Sequence, residues 1–223
     1  MLAVFLFSNI YMSNKIAYLY ILDTLADWEP GYIISELNTG RYFKKEAPRY
    51  SVKTFGINKQ PVTTMGGIQI VPELSIEEVQ PENAGVLILP GSDLWNEPKH
   101  KPVFELVKNF LSRNILVSAI CGATVALANA GILDSCKHTS NDLGFLLQIC
   151  PNYKGKENYI TQPVVMDGNL ITASGMAPMP FAKRILERLD VFSPDTMQAW
   201  DNLHQTMKPE YFAQLMQSLP ARV

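Results

Sequence analysis

The sequence predicts a single α/β domain with a mostly parallel sheet and a C-terminal helical extension. Short, continuously apolar runs at 16–22 and 85–89 are typical of strands buried on both faces of a parallel sheet. Stretches with apolar residues at helical spacing alternate with such runs along most of the chain. No repeat, low-complexity tract or long linker divides it. We therefore expect one domain whose sheet is covered by helices on both faces.

The first half of the domain predicts two buried strands, one helix and a hairpin. The strand at 16–22 leads into a turn-like loop, and Pro30 favours a helix start before 31–38. A second strand is predicted at 50–55. Residues 62–71, with a Gly-Gly pair at their centre, are typical of a β-hairpin.

The second half continues the alternation of strands and helices. The predicted order is strand, helix, strand, helix, hairpin and helix, at 85–89, 102–112, 115–120, 122–131, 164–173 and 181–189. The tail departs from this order, because two amphipathic helices follow each other without a strand between them. We expect them to pack on the domain or on a second subunit through Trp200, Leu203, Phe212, Leu215 and Leu219.

The chain divides into three predicted parts: a leader at 1–14, a core at 15–192 and a helical extension at 193–223. The apolar stretch 1–11 is shorter than a membrane span and lacks the positively charged start of a secretion signal. Met12 follows directly before a clear strand pattern, which favours a leader outside the core.

Composition and charge exclude several classes of partner. Apolar residues make up 47% of the 223 residues and charged residues 18%, which fits a well-filled core. The formal net charge is −2, and no Lys/Arg-rich run indicates nucleic acid or an anionic membrane. We expect a small-molecule substrate, or a second copy of the chain, as the partner.

Cysteine and histidine usage predicts no metal and no disulfide framework. The three cysteines form no CxxC pair, and an odd number cannot close into a full disulfide set. The three histidines are scattered singly, without the paired spacing of a zinc site. Neither a P-loop nor a dinucleotide-binding glycine pattern follows a strand. We expect no cofactor and a reducing, cytoplasmic location.

The strongest chemical signal is the segment SAICGAT at 118–124. An apolar strand runs into Cys121 and a helix leaves it without a loop, with small residues, Ala119 and Ala123, two positions away on either side. A helix N-terminus favours the thiolate, and Gly122 can supply a backbone N–H for an oxyanion. We predict that Cys121 is a nucleophile of low pKa; the alternative is a buried structural cysteine.

The segment Pro90-Gly91-Ser92-Asp93 follows the strand at 85–89. In open α/β sheets the ligand site lies outside the carboxyl ends of the strands, so the N–H groups of Gly91 and Ser92 are candidates for an oxyanion hole. The alternative is a plain turn that ends the strand.

Glu29, in the loop after the first strand, opens toward the same edge of the sheet. A carboxyl group beside a cysteine would shift the pKa of the thiol, and the thiol would shift that of the carboxyl. The alternative is an acid that caps the following helix. His138 is a weaker candidate, as a general base, against a structural histidine.

Together these segments resemble the ThiJ/PfpI family of the class I glutamine amidotransferase-like fold. The resemblance rests on the order and spacing of the first strand with Asp27-Trp28-Glu29, GVLILPG at 85–91, SAICG at 118–122, and the segments 131–141 and 164–175.

This resemblance implies a flavodoxin-like three-layer sandwich and, usually, a homodimer. It implies Cys121 as nucleophile, Glu29 as its carboxyl partner, and the N–H groups of Ser92 and Gly122 as the oxyanion hole. Known activities of the family include amide or peptide hydrolysis, glyoxal-type aldehyde chemistry, chaperone action and oxidative sensing, and fold alone does not choose among them.

Three departures from the family pattern narrow the range of activities that we expect. Protease-like members carry histidine directly after the nucleophile, where this chain has Gly122. Glutamine amidotransferases use a late histidine, which the segment 174–181 lacks, and Asn141 stands where some relatives place a histidine near the cysteine. We expect a hydrolase or glyoxalase-like enzyme acting on a small carbonyl or amide substrate. The alternatives are a stress-protective redox sensor that uses Cys121 and a binding module without chemistry.

Overall fold

A computed structural model of the protein describes residues 14–220. Its centre is a seven-stranded sheet in the order β5-β2-β1-β6-β7-β9-β8. The strands of the chain are β1 Lys15–Tyr20, β2 Tyr50–Gly56, β3 Val62–Thr63, β4 Gln69–Ile70, β5 Leu74–Ser75, β6 Ala84–Leu89, β7 Leu116–Ile120, β8 Val164–Asp167 and β9 Leu170–Ala173. Only β8 runs antiparallel to its neighbour in this sheet. The predicted leader at 1–14 lies almost wholly outside the described residues.

The central strands are buried on both faces. Every residue of β7 and all but one of β6 are buried, as expected for a sheet enclosed between two layers of helices. The helices are α1 Gly31–Thr39, α2 Lys101–Ser112, α3 Gly122–Asn129, α4 Leu143–Ile149, α5 Pro178–Leu189, α6 Pro194–Thr206 and α7 Pro209–Gln217. The predicted α/β class, its mostly parallel sheet and its C-terminal helices are confirmed.

The predicted hairpin at 62–71 is present as the antiparallel pair β3 and β4, separate from the main sheet. The loop after β1 holds it in place: Asp23 accepts a hydrogen bond from the N–H of Thr63 (2.9 Å), and Asp27 accepts one from the N–H of Gly66 (2.7 Å). The tip of this hairpin, which includes Met65, is thereby held at the carboxyl edge of the sheet.

Helix α4 was not predicted from the sequence. It is seven residues long, and only its Leu146 is buried, so the segment is too short to show a helical period. Its N-cap, Asp142, accepts a hydrogen bond from the N–H of Phe145 at 2.7 Å, which is a local signal for a helix start.

The helices of the described residues were also compared with the length of a membrane span. None of them is long and apolar enough to cross a membrane.

The C-terminal helices pack against the domain mainly through two side chains. Trp200 of α6 and Leu215 of α7 are fully buried, and Trp200 donates a hydrogen bond to the buried carboxyl of Glu36 in α1 at 3.2 Å. Phe212 is half exposed on α7, so it does not pack on the domain of its own chain, and its contact with a second subunit stays a prediction. Helices α6 and α7 therefore bury only part of their apolar surface within one chain.

Candidate functional site

Cys121 lies between β7 and α3, at the carboxyl edge of the sheet. Its backbone has φ 57° and ψ −123°, a conformation that a residue with a side chain rarely adopts. Its N–H donates to the carbonyl of Ala173 (3.0 Å), and its carbonyl accepts from the N–H (3.0 Å) and hydroxyl (2.6 Å) of Thr124. Ala119 and Ala123, the small residues on either side, are fully buried. The strained turn predicted at Cys121 is present.

Glu29 is fully buried in the loop between β1 and α1. Its Oε2 accepts a hydrogen bond from the N–H of Gly91 at 2.5 Å. Its Oε1 has no partner with hydrogen-bond geometry among the described residues, yet Glu29 and Cys121 lie close enough for each to affect the pKa of the other. The fold therefore brings the carboxyl and the thiol together from segments 92 residues apart in sequence (121 minus 29).

Two glycines allow this close approach. A Cβ added at Gly91 would lie 2.7 Å from Oε2 of Glu29 and 2.9 Å from Cβ of Cys121. A Cβ added at Gly175, just after β9, would lie 2.7 Å from Sγ of Cys121. Both distances are too short for a real side chain, so these positions require glycine.

Asn141 contacts the sulfur directly. Its Nδ2 donates to Sγ of Cys121 at 3.3 Å, and its Oδ1 accepts from the N–H of Gly175 at 2.8 Å. The second bond orients the amide so that its N–H faces the sulfur. An amide is not a base, so Asn141 can stabilise a thiolate but cannot remove its proton.

The pKa values of the pair reflect opposing influences. Burial raises the pKa of Glu29, and the hydrogen bond from the N–H of Gly91 and the nearby thiol of Cys121 act against this rise. Burial also raises the pKa of the Cys121 thiol, and a charged Glu29 raises it further, while the N–H groups of Asn141 and Gly122 lower it. The low thiol pKa predicted from the helix N-terminus is wrong, because burial and Glu29 outweigh the N–H donors and leave the pKa of Cys121 raised. Burial thus shifts the pKa of both groups upward.

Two of the three predicted oxyanion donors remain available. The N–H of Gly91 is occupied by Glu29, which removes it from the predicted hole. A Cβ added at Gly122 would lie 3.1 Å from the backbone N of Ser92, so the loop carrying Ser92 approaches the start of α3 closely. As the first residue of α3, Gly122 has an N–H without an intrahelical acceptor.

His138 does not join this site. Its Nε2 is hydrogen-bonded to the hydroxyl of Tyr153 (2.6 Å) and its Nδ1 to the carbonyl of Cys136 (2.8 Å). It is buried and is absent from the lining of the pocket around Cys121. The geometry thus favours the structural alternative for His138 and gives no support to a general-base role.

A pocket of about 320 Å³ opens above Cys121 and Glu29. Its lining includes apolar side chains that the sequence analysis did not single out: Trp28, Met65, Trp95, Val125, Phe145 and Ile149. Because they come from five separate segments, no local pattern could have predicted that they share one cavity. Gly175 was missed for the same reason, although its place after a parallel strand is a usable signal.

A larger cavity of about 530 Å³ lies at the opposite edge of the sheet, beside the amino ends of the strands. Its lining includes Lys15, Arg113 and Arg188 but no cysteine. Among residues 14–220, no group of three or more His, Cys, Asp or Glu side chains is arranged to hold a metal ion. The reactive groups are therefore at the carboxyl edge, in the smaller cavity.

The fold and the site thus define an α/β protein with a cysteine on a strained strand-to-helix turn, beside a buried carboxyl. The chain belongs to the DJ-1/PfpI family, whose pattern it matches over residues 15–188. This finding confirms the resemblance to the ThiJ/PfpI family.

Similar proteins cover nearly the whole chain. A Bacillus subtilis (strain 168) protein named "Uncharacterized protease YoaZ" is 48% identical over 208 residues, which are 93% of this chain and 99% of that relative. "Uncharacterized protease YdeA" from the same organism is 33% identical over 184 residues, 82% of this chain and 88% of the relative. The crystal structure of the thiJ/pfpI family protein from Bacillus anthracis matches with a TM-score of 0.90 at 50% identity, covering 93% of this chain and 98% of that one.

Proposed function

We propose that this protein is a cysteine-dependent enzyme that acts on a small carbonyl or amide substrate, as a hydrolase or in a glyoxalase-like reaction. The observation that carries the proposal is the buried carboxyl of Glu29, which has a free oxygen and lies beside the strained Cys121. A buried carboxyl without a cation is costly, so its retention beside a thiol favours a role in proton transfer.

In the proposed reaction, Sγ of Cys121 attacks the carbonyl carbon and the thiol proton passes to Glu29. A C–S bond forms, and the electron pair of the C=O bond moves to the oxygen. The N–H groups of Ser92 and Gly122 stabilise the resulting oxyanion. With an amide, Glu29 returns the proton to the leaving amine as the C–N bond breaks, and water then hydrolyses the thioester. With a 2-oxoaldehyde, an internal hydrogen shift gives the thioester of a 2-hydroxy acid, which water releases.

Peptide hydrolysis is the less favoured activity, although two relatives are named proteases. Expulsion of a peptide amine needs an acid–base group within reach, and histidine is the usual one. Among the described residues that line the pocket there is no histidine, and His138 is held by Tyr153. A 2-oxoaldehyde has no leaving amine, so its reaction does not require Glu29 to protonate one.

The second candidate is oxidative sensing. The free N–H of Gly122 and a protonated Glu29 could each donate to an oxygen of a Cys121 sulfinate. Forming that sulfinate would consume two equivalents of a peroxide and release two of water. No substrate would then turn over.

Intact mass spectrometry combined with a turnover assay tests the proposal. The protein is incubated with glyoxals, with glutamine and with dilute peroxide, and the Cys121→Ala variant serves as the control. We expect catalytic loss of a glyoxal or a small amide with the wild type and none with the variant. A gain of two oxygen atoms at Cys121 without any turnover would favour the sensor and contradict the enzyme.

We also propose a homodimer, as the family resemblance implies. It is supported by the half-exposed Phe212 and by Met216 on α7, which one chain leaves partly uncovered. Sedimentation velocity tests it: a monomer at micromolar concentration would contradict it. A cytoplasmic location stays a prediction.

A further inference from the structure

The mouth of the pocket is surrounded by four exposed apolar side chains. Trp28 comes from the loop after β1, Met65 from the hairpin, and Phe145 and Ile149 from α4. We call these four residues the apolar rim. Each is at least 37% exposed, although each lies within a few side chains of a buried ionisable pair. Large apolar groups in such a place lose contact with water when a ligand covers them, which favours binding.

The charges around the pocket add a second, independent constraint. The charged side chains among its lining residues are Glu29 and Asp93, both acidic, and no lysine or arginine is among the residues that line it. A carboxylate or phosphate entering here would meet repulsion from Asp93 without a compensating cation. The pocket therefore disfavours anionic substrates.

The size of the pocket limits the substrate further. Its volume of about 320 Å³ corresponds to the space of about ten water molecules in the liquid. That space fits a compact group such as one aromatic ring with a short carbonyl-bearing arm, and it does not fit an extended peptide.

We propose that the site selects neutral carbonyl compounds that carry an aromatic or branched apolar group. The apolar group lies against the rim, and the carbonyl carbon reaches Sγ of Cys121. Phe145 and Trp28 are the specificity-determining residues. The catalytic part of this inference rests on the proposed function, whereas the preference itself is a property of the pocket and can be measured without turnover.

The test compares alkylation of Cys121 by iodoacetamide, N-benzyl-iodoacetamide and iodoacetate, followed by peptide mapping. In each reaction Sγ displaces iodide from the CH₂ carbon: a C–S bond forms, the C–I bond breaks and the thiol proton goes to solvent. Rates are divided by those of N-acetylcysteine to remove the intrinsic reactivity of each reagent. We expect the benzyl reagent to react about tenfold faster than iodoacetamide, the ratio given by burial of about 55 Å² of apolar area. Iodoacetate should be the slowest.

The chain offers a matched control for the rim. Phe145 and Leu147 lie on the same helix and are both 44% exposed, but only Phe145 lines the pocket. Phe145→Ala should lower the benzyl preference at least about threefold, whereas Leu147→Ala should leave it unchanged. Equal normalised rates for all three reagents, or an equal loss in both variants, would overturn the proposal.

Sedimentation velocity on the same variants separates a substrate site from a contact between subunits. If Phe145→Ala dissociates an oligomer and changes all three rates alike, the rim is an interface and the proposal is wrong. A benzyl preference that depends on Phe145, found in a protein that turns over no carbonyl compound, would support the pocket's selectivity and contradict only the proposed function.

Discussion

Two buried glutamates seven positions apart, Glu29 and Glu36, have opposite surroundings. Both oxygens of Glu36 are paired: the guanidinium of Arg41 donates to Oε1 (2.7 Å) and Oε2 (3.2 Å), and Trp200 donates to Oε1 (3.2 Å). Glu29 receives one backbone N–H, from Gly91, and has no cation. Burial alone therefore does not distinguish the two carboxyls; they differ in the oxygen of Glu29 that is left without a partner beside the thiol of Cys121.

The difference begins with the local position of each residue. Glu36 lies on the buried face of α1, where Arg41 follows one turn later and can reach back to it. Glu29 precedes α1, and its N–H donates to the carbonyl of Ala26 at 3.2 Å, which turns the side chain toward the carboxyl edge of the sheet. One carboxyl thus anchors the C-terminal helices, and the other faces Cys121.

The largest effect on stability is expected from Trp200→Ala. Trp200 is fully buried and donates to Glu36, so its loss removes both packing and a hydrogen bond and should cost about 3–5 kcal/mol. Trp28→Ala is the matched control, since Trp28 is 55% exposed, and it should change stability by less than about 0.5 kcal/mol. Urea unfolding measures both. Equal losses of stability in the two variants would mean that Trp200, with its hydrogen bond to Glu36, stabilises the fold no more than Trp28 at the pocket does.

A smaller loss is expected from Glu36→Ala. This change leaves the buried indole N–H of Trp200 without its acceptor, which should cost about 1–3 kcal/mol. The alkylation rate of Cys121 in the folded protein should remain that of the wild type, because Glu36 is not among the residues that line the pocket. A lowered alkylation rate at full folding would show that the two carboxyls are coupled.

The sharpest comparison is the same substitution, glutamate to glutamine, at both positions. The folded pKa of Glu29 is raised above its ordinary value of 4.5, so the wild type loses stability as the pH rises through that value toward the folded one. Glu29→Gln escapes this loss and should be more stable than the wild type at pH 8, with the gain vanishing near pH 4.

Glu36→Gln should be destabilising by about 1 kcal/mol at pH 8, because it weakens the pairing with Arg41. Denaturant titrations of both variants at pH 4 and pH 8 provide the measurement. If the two substitutions change stability in the same direction at pH 8, the distinction between a paired and an unpaired buried carboxyl fails for this protein.

Most of the fold could be predicted from the sequence because its signals are local. Strands such as β6 and β7 are continuous apolar runs, and the hairpin of β3 and β4 has its Gly-Gly turn between them. Helix α4 was missed because seven residues are too few to establish a period. Phe212 is half exposed, because spacing alone does not say which apolar residues of an amphipathic helix reach the core of one chain and which are left for a second subunit.

The elbow at Cys121 was also a local signal, since strand, cysteine and helix are contiguous. The contacts of the other candidate residues depend on segments that are distant in the sequence. The sequence could not show that the N–H of Gly91 donates to Glu29, or that Asn141 donates to Sγ of Cys121. Nor could it show that His138 is hydrogen-bonded to Tyr153. Each of these outcomes depends on which way a side chain points once the loops are folded.

The sequence by itself determined the alternation of strands and helices and the turn at Cys121, because hydrophobic period and turn chemistry act between near neighbours in the chain. The family was indicated by the resemblance of the segments around these elements. Only the tertiary structure decided the ionisation of the site and the shape of its pocket. Glu29 and Gly91 are 62 residues apart, yet their hydrogen bond and their shared burial set the pKa of the carboxyl. Desolvation and pairing depend on distances in space, and those exist only after the separate segments have met at the edge of the sheet.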